Sequence, residues 1–403
     1  MKFTFETDKS HTFIHAHFEN TDNETGRREE GGGTEITIRE KTLTYDYPVK
    51  EIHPDILGLI CMLNFYPFIG KEVEFPKPVS PRLVKAFNTP KFISKKRINF
   101  RNVDPNIPIF KGKEIALAFG GGIDSTAVRA LFPDALVVHE GHLKDGIPTE
   151  YGCSFAVHDF VKSLGEDKGK LVFSNQRLVS FPFGWHSWPC SMVTSLLLAT
   201  DYDIGLILCG AILEGNYLWN GSRFFDRHSQ QRDHGFSGNY WQSTFNTIGI
   251  PLFSPVDGLS EIGTMKLSLD ALREGNVDYG SEETKCFRRD LIRLLWDDNF
   301  EMDWDGYKTE KIQDFLRKRP LYYGNIFSYA ASNNIGPDWF LDSISDVQRI
   351  HTDWPRKYYT KALDLCPEGW VSRVAPPVIR NMELMSENEM EELFSWNQVE
   401  NNR

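Results

Sequence analysis

The run Ile115-Ala116-Leu117-Ala118-Phe119 is apolar without a break and stops at three consecutive glycines, Gly120-Gly121-Gly122. A strand with no polar alternation has both faces buried, which is the condition of a parallel sheet covered by helices. The sequence that follows keeps to that condition. Ser125 to Leu131 predicts a helix, Ala135 to His139 a strand, Phe155 to Leu164 a helix, Lys170 to Phe173 a strand, Ser191 to Thr200 a helix and Gly205 to Cys209 a strand. Strands alternating with helices predict an α/β fold with a doubly wound, mostly parallel sheet.

The flanking segments differ in pattern. Phe3 and Phe5, Thr12 to Phe18, and Glu35 to Arg39 alternate with period two, as strands do, and Asn20 to Thr34 reads as a turn or loop. Leu57 to Tyr66 reads as a helix, and the prolines between Phe75 and Pro81 end that unit. Glu261 to Leu272 and Cys286 to Leu295 also read as helices. Residues 1–112 are therefore expected to form an N-terminal β-rich accessory domain, 113–300 the α/β domain, and 301–403 a mainly helical C-terminal region ending in an exposed acidic tail.

Charge and cysteines narrow the function classes. Lys plus Arg number 45 against 56 Asp plus Glu, a net charge of −11, which disfavours a broad nucleic-acid surface but leaves room for a local basic pocket. There is no long apolar stretch, so no membrane span is expected. Met1 to Asp8 turns charged at once, unlike a signal peptide. The six cysteines include no CxxC pair, which predicts a reduced, cytoplasmic protein without structural zinc.

The glycine run carries the chemistry. Successive glycines let backbone N–H groups close on a ligand, and a helix starting there adds its positive dipole. With the hydroxyls of Ser125 and Thr126, the segment Phe119 to Thr126 predicts a cradle for phosphate oxygens. It is not a Walker A loop, which needs Gly-Lys-Ser/Thr, nor the dinucleotide fingerprint, whose glycines are spaced. The plainer alternative is a β–α turn with Asp124 and Ser125 as caps. An aspartate beside phosphates makes chemical sense with Mg²⁺ between them, so Asp124 is the expected metal ligand.

Gly121, Gly122, Asp124 and Ser125 resemble the PP-loop of the ATP pyrophosphatase superfamily, Ser-Gly-Gly-x-Asp-Ser, with Gly120 where the first serine would stand. The resemblance implies an adenine nucleotide alpha hydrolase-like fold that uses ATP and Mg²⁺. An acceptor oxygen attacks the α-phosphorus, and pyrophosphate leaves. It assigns ATP binding to Phe119, Gly120, Gly121, Gly122, Asp124, Ser125, Thr126 and His139, with Asp124 and Ser125 catalytic.

Shorter pieces are similar to one branch, the ATP-dependent epimerases acting on UDP-N-acetylmuramoyl-L-alanyl-L-glutamate. These pieces are the N-terminal β unit, Met62 to Tyr66, Glu214-Gly215-Asn216, Phe253 to Glu261, and Lys285-Cys286-Phe287-Arg288. The likeness implies that a small-molecule or peptide carboxylate is adenylated and its α-carbon epimerised, with Asp257, Cys286 and Arg288 in catalysis and Glu214 and Asn216 on the substrate. Two features depart from it. Cys286 lacks the second cysteine usual nearby, and the cationic loop with Arg223, Arg227, His228, Arg232 and His234 is particular to this chain. That loop suits a carboxylate or phosphate, and equally a solvated loop balanced by Asp226 and Asp233.

Further candidates each have a plain structural reading. His139, Glu140 and His142 follow a strand at the ligand-binding edge, or form a polar turn. Cys190 is a reactive or a buried thiol, and Ser191 a helix cap. Asp257 and Glu261 are acid–base groups or helix-start carboxylates. Cations beside Cys286 are expected to lower its pKa. Two other activities remain open. One is an amide-forming or nucleobase- or tRNA-modifying PP-loop enzyme like the 7-deazaguanine synthases, although those usually carry a four-cysteine zinc site. The other is an inactive nucleotide-binding module, which the intact Asp124 and Ser125 count against.

Overall fold

A computed structural model describes residues 1–28, 33–89, 96–149, 155–218, 240–277 and 280–396. The chain is mixed α/β with a mostly parallel central sheet. Its strands are β1 (Lys2–Thr7), β2 (Thr12–His17), β3 (Thr25–Arg27), β4 (Glu35–Ile38), β5 (Thr42–Tyr45), β6 (Glu72–Val73) and β7 (Asn99–Phe100). They continue with β8 (Glu114–Ala118), β9 (Leu136–Lys144), β10 (Ile147–Thr149), β11 (Gly169–Ser174), β12 (Ser180–Phe181), β13 (Ile204–Leu208) and β14 (Leu252–Phe253).

The large sheet has the order β1-β2-β5-β11-β9-β8-β13-β14, with β10 folded back on β9. The middle four strands, β11-β9-β8-β13, are mutually parallel. Most of the apolar run before the glycines lies in β8, and Ile115, Ala116 and Leu117 are buried. β13 is buried along its whole length, as a strand covered on both faces must be. The period-two segments at Phe3 and at Thr12 form β1 and β2, which with β5 extend this same sheet antiparallel from β11, whereas the segment at Glu35 forms β4 of a separate three-stranded sheet, β12-β4-β3.

The chain divides into two compact, interleaved units. The first comprises Met1–Gly120, Asp134–Leu208 and Asn239–Leu252; the second comprises Gly121–Pro133, Cys209–Gly238 and Phe253–Arg403. The linear boundaries expected at 112 and 300 do not coincide with them. In the first unit, helix Phe155–Ser163 packs on β9 and β11, and helix Val193–Leu197 on β8, β9 and β13. The latter is preceded by a tight 3₁₀ turn, Trp188–Met192, where one longer helix was expected. Helix Pro54–Phe65 starts at a proline in its first turn and is buried nearly throughout.

The second unit is helical. Ile123–Leu131 lies along Glu261–Arg273, which meets Glu283–Leu294. The expected acidic tail is instead a docked element. Helix Glu387–Ser395 begins in a capping box of Ser386 and Glu389 and buries Leu393, and Trp396 just beyond it is buried too. Glu387 and Glu391 are exposed, but Glu389 is buried in the capping box and Glu392 accepts from the His351 and Thr352 N–H groups, so acidic composition alone misreads the segment as a solvated tail. No helix among the described residues is long and apolar enough to cross a membrane.

Candidate functional site

Of the three loop glycines, only Gly121 is required by its backbone. Gly121 has φ +77°, a left-handed conformation that costs any residue with a Cβ. A Cβ at Gly120 would meet nothing within 4 Å, and one at Gly122 would only touch an Arg289 nitrogen at 3.8 Å. Helix Ile123–Leu131 is capped by Gly122 without any side-chain hydrogen bond. Asp124 and Ser125 are therefore not its caps. Ser125 donates its hydroxyl to the Gly122 carbonyl (3.1 Å), and the buried Thr126 hydroxyl has no hydrogen-bond partner. A further glycine, Gly210, is required here: a Cβ on it would lie 2.7 Å from the Ser125 nitrogen.

Asp124 turns toward helix Glu261–Arg273. Its Oδ1 accepts from the Thr264 hydroxyl (2.8 Å), and Ser268, one turn on, donates to the Ile123 carbonyl (2.7 Å). Glu261, Thr264 and Ser268 share one helix face at spacings of three and four. Burial raises the Asp124 carboxyl to about 7, and the nearby Glu261 charge adds to the rise; Thr264, Arg289 and Arg288 pull the other way.

Glu261 is buried and charge-compensated. Arg288 grips it with two hydrogen bonds, Nε to Oε2 (2.7 Å) and Nη2 to Oε1 (3.2 Å), and the Arg289 Nε stands 3.7 Å from Oε1. A bidentate guanidinium–carboxylate pair is the strong form of this contact. The Arg288 guanidinium also lies 4.2 Å over the Tyr323 ring. Tyr323 has φ 57°, left-handed for a residue with a side chain, immediately before helix Gly324–Ser332.

These groups line a cavity of about 600 Å³. Asp124, Glu261, Arg288 and Arg289 lie with Tyr323, and Glu282, Lys285, Phe315, Lys318 and the half-exposed Tyr322 complete the wall. The volume suits a small-molecule ligand, and four cations set against the carboxylates of Asp124, Glu261 and Glu282, with aromatic surface, leave a modest positive excess that suits an anionic one.

The structure distributes the sequence-derived candidates unevenly. Asp124 and Arg288 are in the cavity wall, and Gly121, Gly122, Ser125 and Thr126 surround the start of the helix that carries Asp124. Glu214, expected on the substrate, is turned inward as a brace. Both its oxygens accept from the Glu261 backbone N–H (3.1 Å each), and the Asn325 amide donates to Oε1 (2.7 Å). Burial raises its carboxyl to about 8 against the pull of Asn325. Asn216 closes the same short helix, Leu213–Asn216. Asp257 is buried among tyrosines, accepting from the Tyr217 hydroxyl (3.2 Å), and is not in the cavity wall.

The Cys286 thiol is raised, not lowered. Burial and the Asp290 carboxylate outweigh Arg289 and Lys285, and the thiol donates to the Gly280 carbonyl (3.4 Å) instead of lining the cavity. Arg223, Arg227, His228, Arg232 and His234 lie outside the described residues. Sequence reasoning missed Thr264, Tyr322, Tyr323, Lys285 as a wall residue, Lys318 and Asn325. Only Thr264, one turn after Glu261, offered a local signal.

In the first unit, His139 is buried and its Nδ1 is 2.6 Å from the Phe119 carbonyl, so that nitrogen carries the proton and braces the strand end before the glycines. Cys190 is a buried thiol donating to the Leu63 carbonyl (2.8 Å), and Ser191 donates to the Trp188 carbonyl (2.8 Å).

Residues 240–397, less than half of the chain, match a family described as "Family of unknown function (DUF6395)". No curated protein and no solved structure matches the chain.

Proposed function

We propose that the chain is a PP-loop-type ATP pyrophosphatase of doubly wound fold that adenylates a carboxylate, and that the product of this step is epimerised at its α-carbon. The observation that carries the reading is the placement of Asp124. It follows the glycine loop at a helix start that has no side-chain cap, and lines a cavity with Arg288, Arg289, Lys285 and Lys318. In this reading the amides of Gly121 and Gly122, the helix N-terminus and the Ser125 and Thr126 hydroxyls receive phosphate oxygens. The Thr126 hydroxyl, buried without a partner, supports that role.

The donor set fits a magnesium ion. Mg²⁺ bound with a nucleotide needs only one or two protein carboxylates, the phosphates and water supplying the rest. Asp124 offers one such carboxylate, with a carboxyl raised to about 7, so a cation there would relieve its burial. Magnesium would neutralise charge on the phosphates. Glu261 is not a second ligand, since Arg288 holds both its oxygens.

The chain's own residues bind and orient. Arg289, Lys285 and Lys318 draw two anions, ATP and the acceptor carboxylate, into one cavity against their mutual repulsion. A carboxylate oxygen bonds to the α-phosphorus as the bond to the pyrophosphate oxygen breaks. The acyl adenylate has lost the carboxylate's charge, so its α-proton becomes acidic enough to remove and return on the other face. Water then releases AMP.

Incubation with ATP, Mg²⁺ and amino-acid or peptide carboxylates should release AMP and pyrophosphate. Formation of ADP, or no turnover, overturns the reading. Deuterium from heavy water at the product α-carbon identifies epimerisation. Asp124→Asn should lower AMP formation by about 100-fold or more while leaving unfolding within about 1 kcal/mol of the parent.

A further inference from the structure

The register of the first unit puts a polar group where a core would be apolar. Ser174 on β11 pairs directly with Tyr45 on β5 and with His142 on β9. Glu140 lies two residues before His142 on the same strand. Side chains of paired residues, and of residues two apart, point to one side of a sheet, so Tyr45, Ser174, His142 and Glu140 share a face. None is at the surface: Tyr45 is 0%, Ser174 1% and His142 4% exposed, and the Glu140 side chain 7%.

The group is rich in acceptors and poor in positive charge. Ser174 donates its hydroxyl to Glu140 Oε1 (2.6 Å), which leaves Oε2 buried with no hydrogen-bond partner. The Tyr45 hydroxyl and Gln176 Oε1 are also buried without partners; the Gln176 amide nitrogen is used on the Cys190 carbonyl. Tyr45 lies within electrostatic reach of Glu140, Cys61 and Cys190. The His142 imidazole is 3.7 Å from Glu140, but burial and the Arg177 charge drive it down to about 3, so it is neutral. Arg177 stacks 4.6 Å over Trp185 and points a nitrogen at His142 Nε2 (3.3 Å), acting on Glu140 only at longer range. A buried carboxylate that Arg177 reaches only at longer range is costly unless a cation or a proton joins it directly.

We infer that this face is a binding site for a compact ammonium cation, held by Glu140 Oε2, Gln176 Oε1 and the Tyr45 hydroxyl. Ammonium or a primary alkylammonium matches three separate acceptors and one formal negative charge. A divalent metal would call for more carboxylate than the single one here. A bound water would meet the hydrogen bonds but not the charge.

Thermal unfolding of the full chain at constant pH and ionic strength tests the assignment. Ammonium chloride and methylammonium chloride are compared with potassium, sodium and choline chlorides. Ammonium at ten times its dissociation constant should raise Tm by about 2 °C over sodium. Glu140→Gln should abolish the increment, and Tyr45→Phe should reduce it. Equal stabilisation by potassium and ammonium would show a site reading size alone, and would overturn the assignment. So would an equal response in the variants, or no difference between salts. If Glu140→Gln does not fold, Tyr45→Phe decides alone: an undiminished ammonium response rules the site out.

Discussion

Glu261 and Glu140 face the same physical problem, a carboxylate taken out of water, and the two units meet it in opposite ways. Glu261 is clamped by the bidentate Arg288, with Arg289 close behind. Glu140 has one hydroxyl donor and a neutral imidazole. The first arrangement is closed and stands in the wall of a cavity with Arg289, Lys285 and Lys318. The second leaves acceptor capacity inside the protein. Burial of a charge therefore says little about role until its partners are counted.

Breaking the closed pair tests the contrast most severely. Arg288→Met leaves Glu261 buried and uncompensated, and should cost about 3–5 kcal/mol in urea unfolding. A loss below about 1 kcal/mol would mean that Arg289 suffices and that the pair is not closed by Arg288.

Acidity sharpens it next. Glu214, which braces Glu261, is raised from about 4.5 to about 8. Between these values the folded protein holds a proton that the unfolded chain releases. Its contribution to stability is thus complete below pH 4.5 and is lost as pH rises toward 8. Asp124, raised to about 7, acts in the same direction. Stability should fall by roughly 1–3 kcal/mol from pH 5 to 8, and Glu214→Gln should flatten most of that slope. An unchanged slope in the variant would place the titration elsewhere.

The smallest effect belongs to the open cluster. Arg177→Met loses a stacking contact on Trp185 and a hydrogen bond to His142, and should cost about 1 kcal/mol. A cost equal to that of Arg288→Met would erase the distinction between the two units.

What the sequence made legible is what lies close along the chain. β8 and β13 are readable because, Glu114 at the β8 start apart, their residues are apolar and nearly all are buried. Asp124 is readable because its loop and helix are contiguous with it. The Glu261–Arg288 pair is not, since its members belong to different helices and Glu261 looks like an ordinary helix-start carboxylate. Tyr323 and Lys318 reach the cavity from a connection with no local signature. Cys286 was misjudged because the adjacent cations are visible in sequence, whereas burial and Asp290, one helical turn later, are not weighed by adjacency. The Ser386-x-x-Glu389 capping box was legible, and acidic composition obscured it.

The interleaving of the two units has a consequence for how this protein can be divided. A polypeptide running from 240 to 397, the stretch shared with the matched family, would inherit Glu261, Arg288 and Tyr323 but leave behind Asp124, Ser125 and the Glu214 brace. The portion that travels as a sequence module thus holds every lining residue of the chamber except Asp124, and what it lacks is the carboxylate beside the glycine loop.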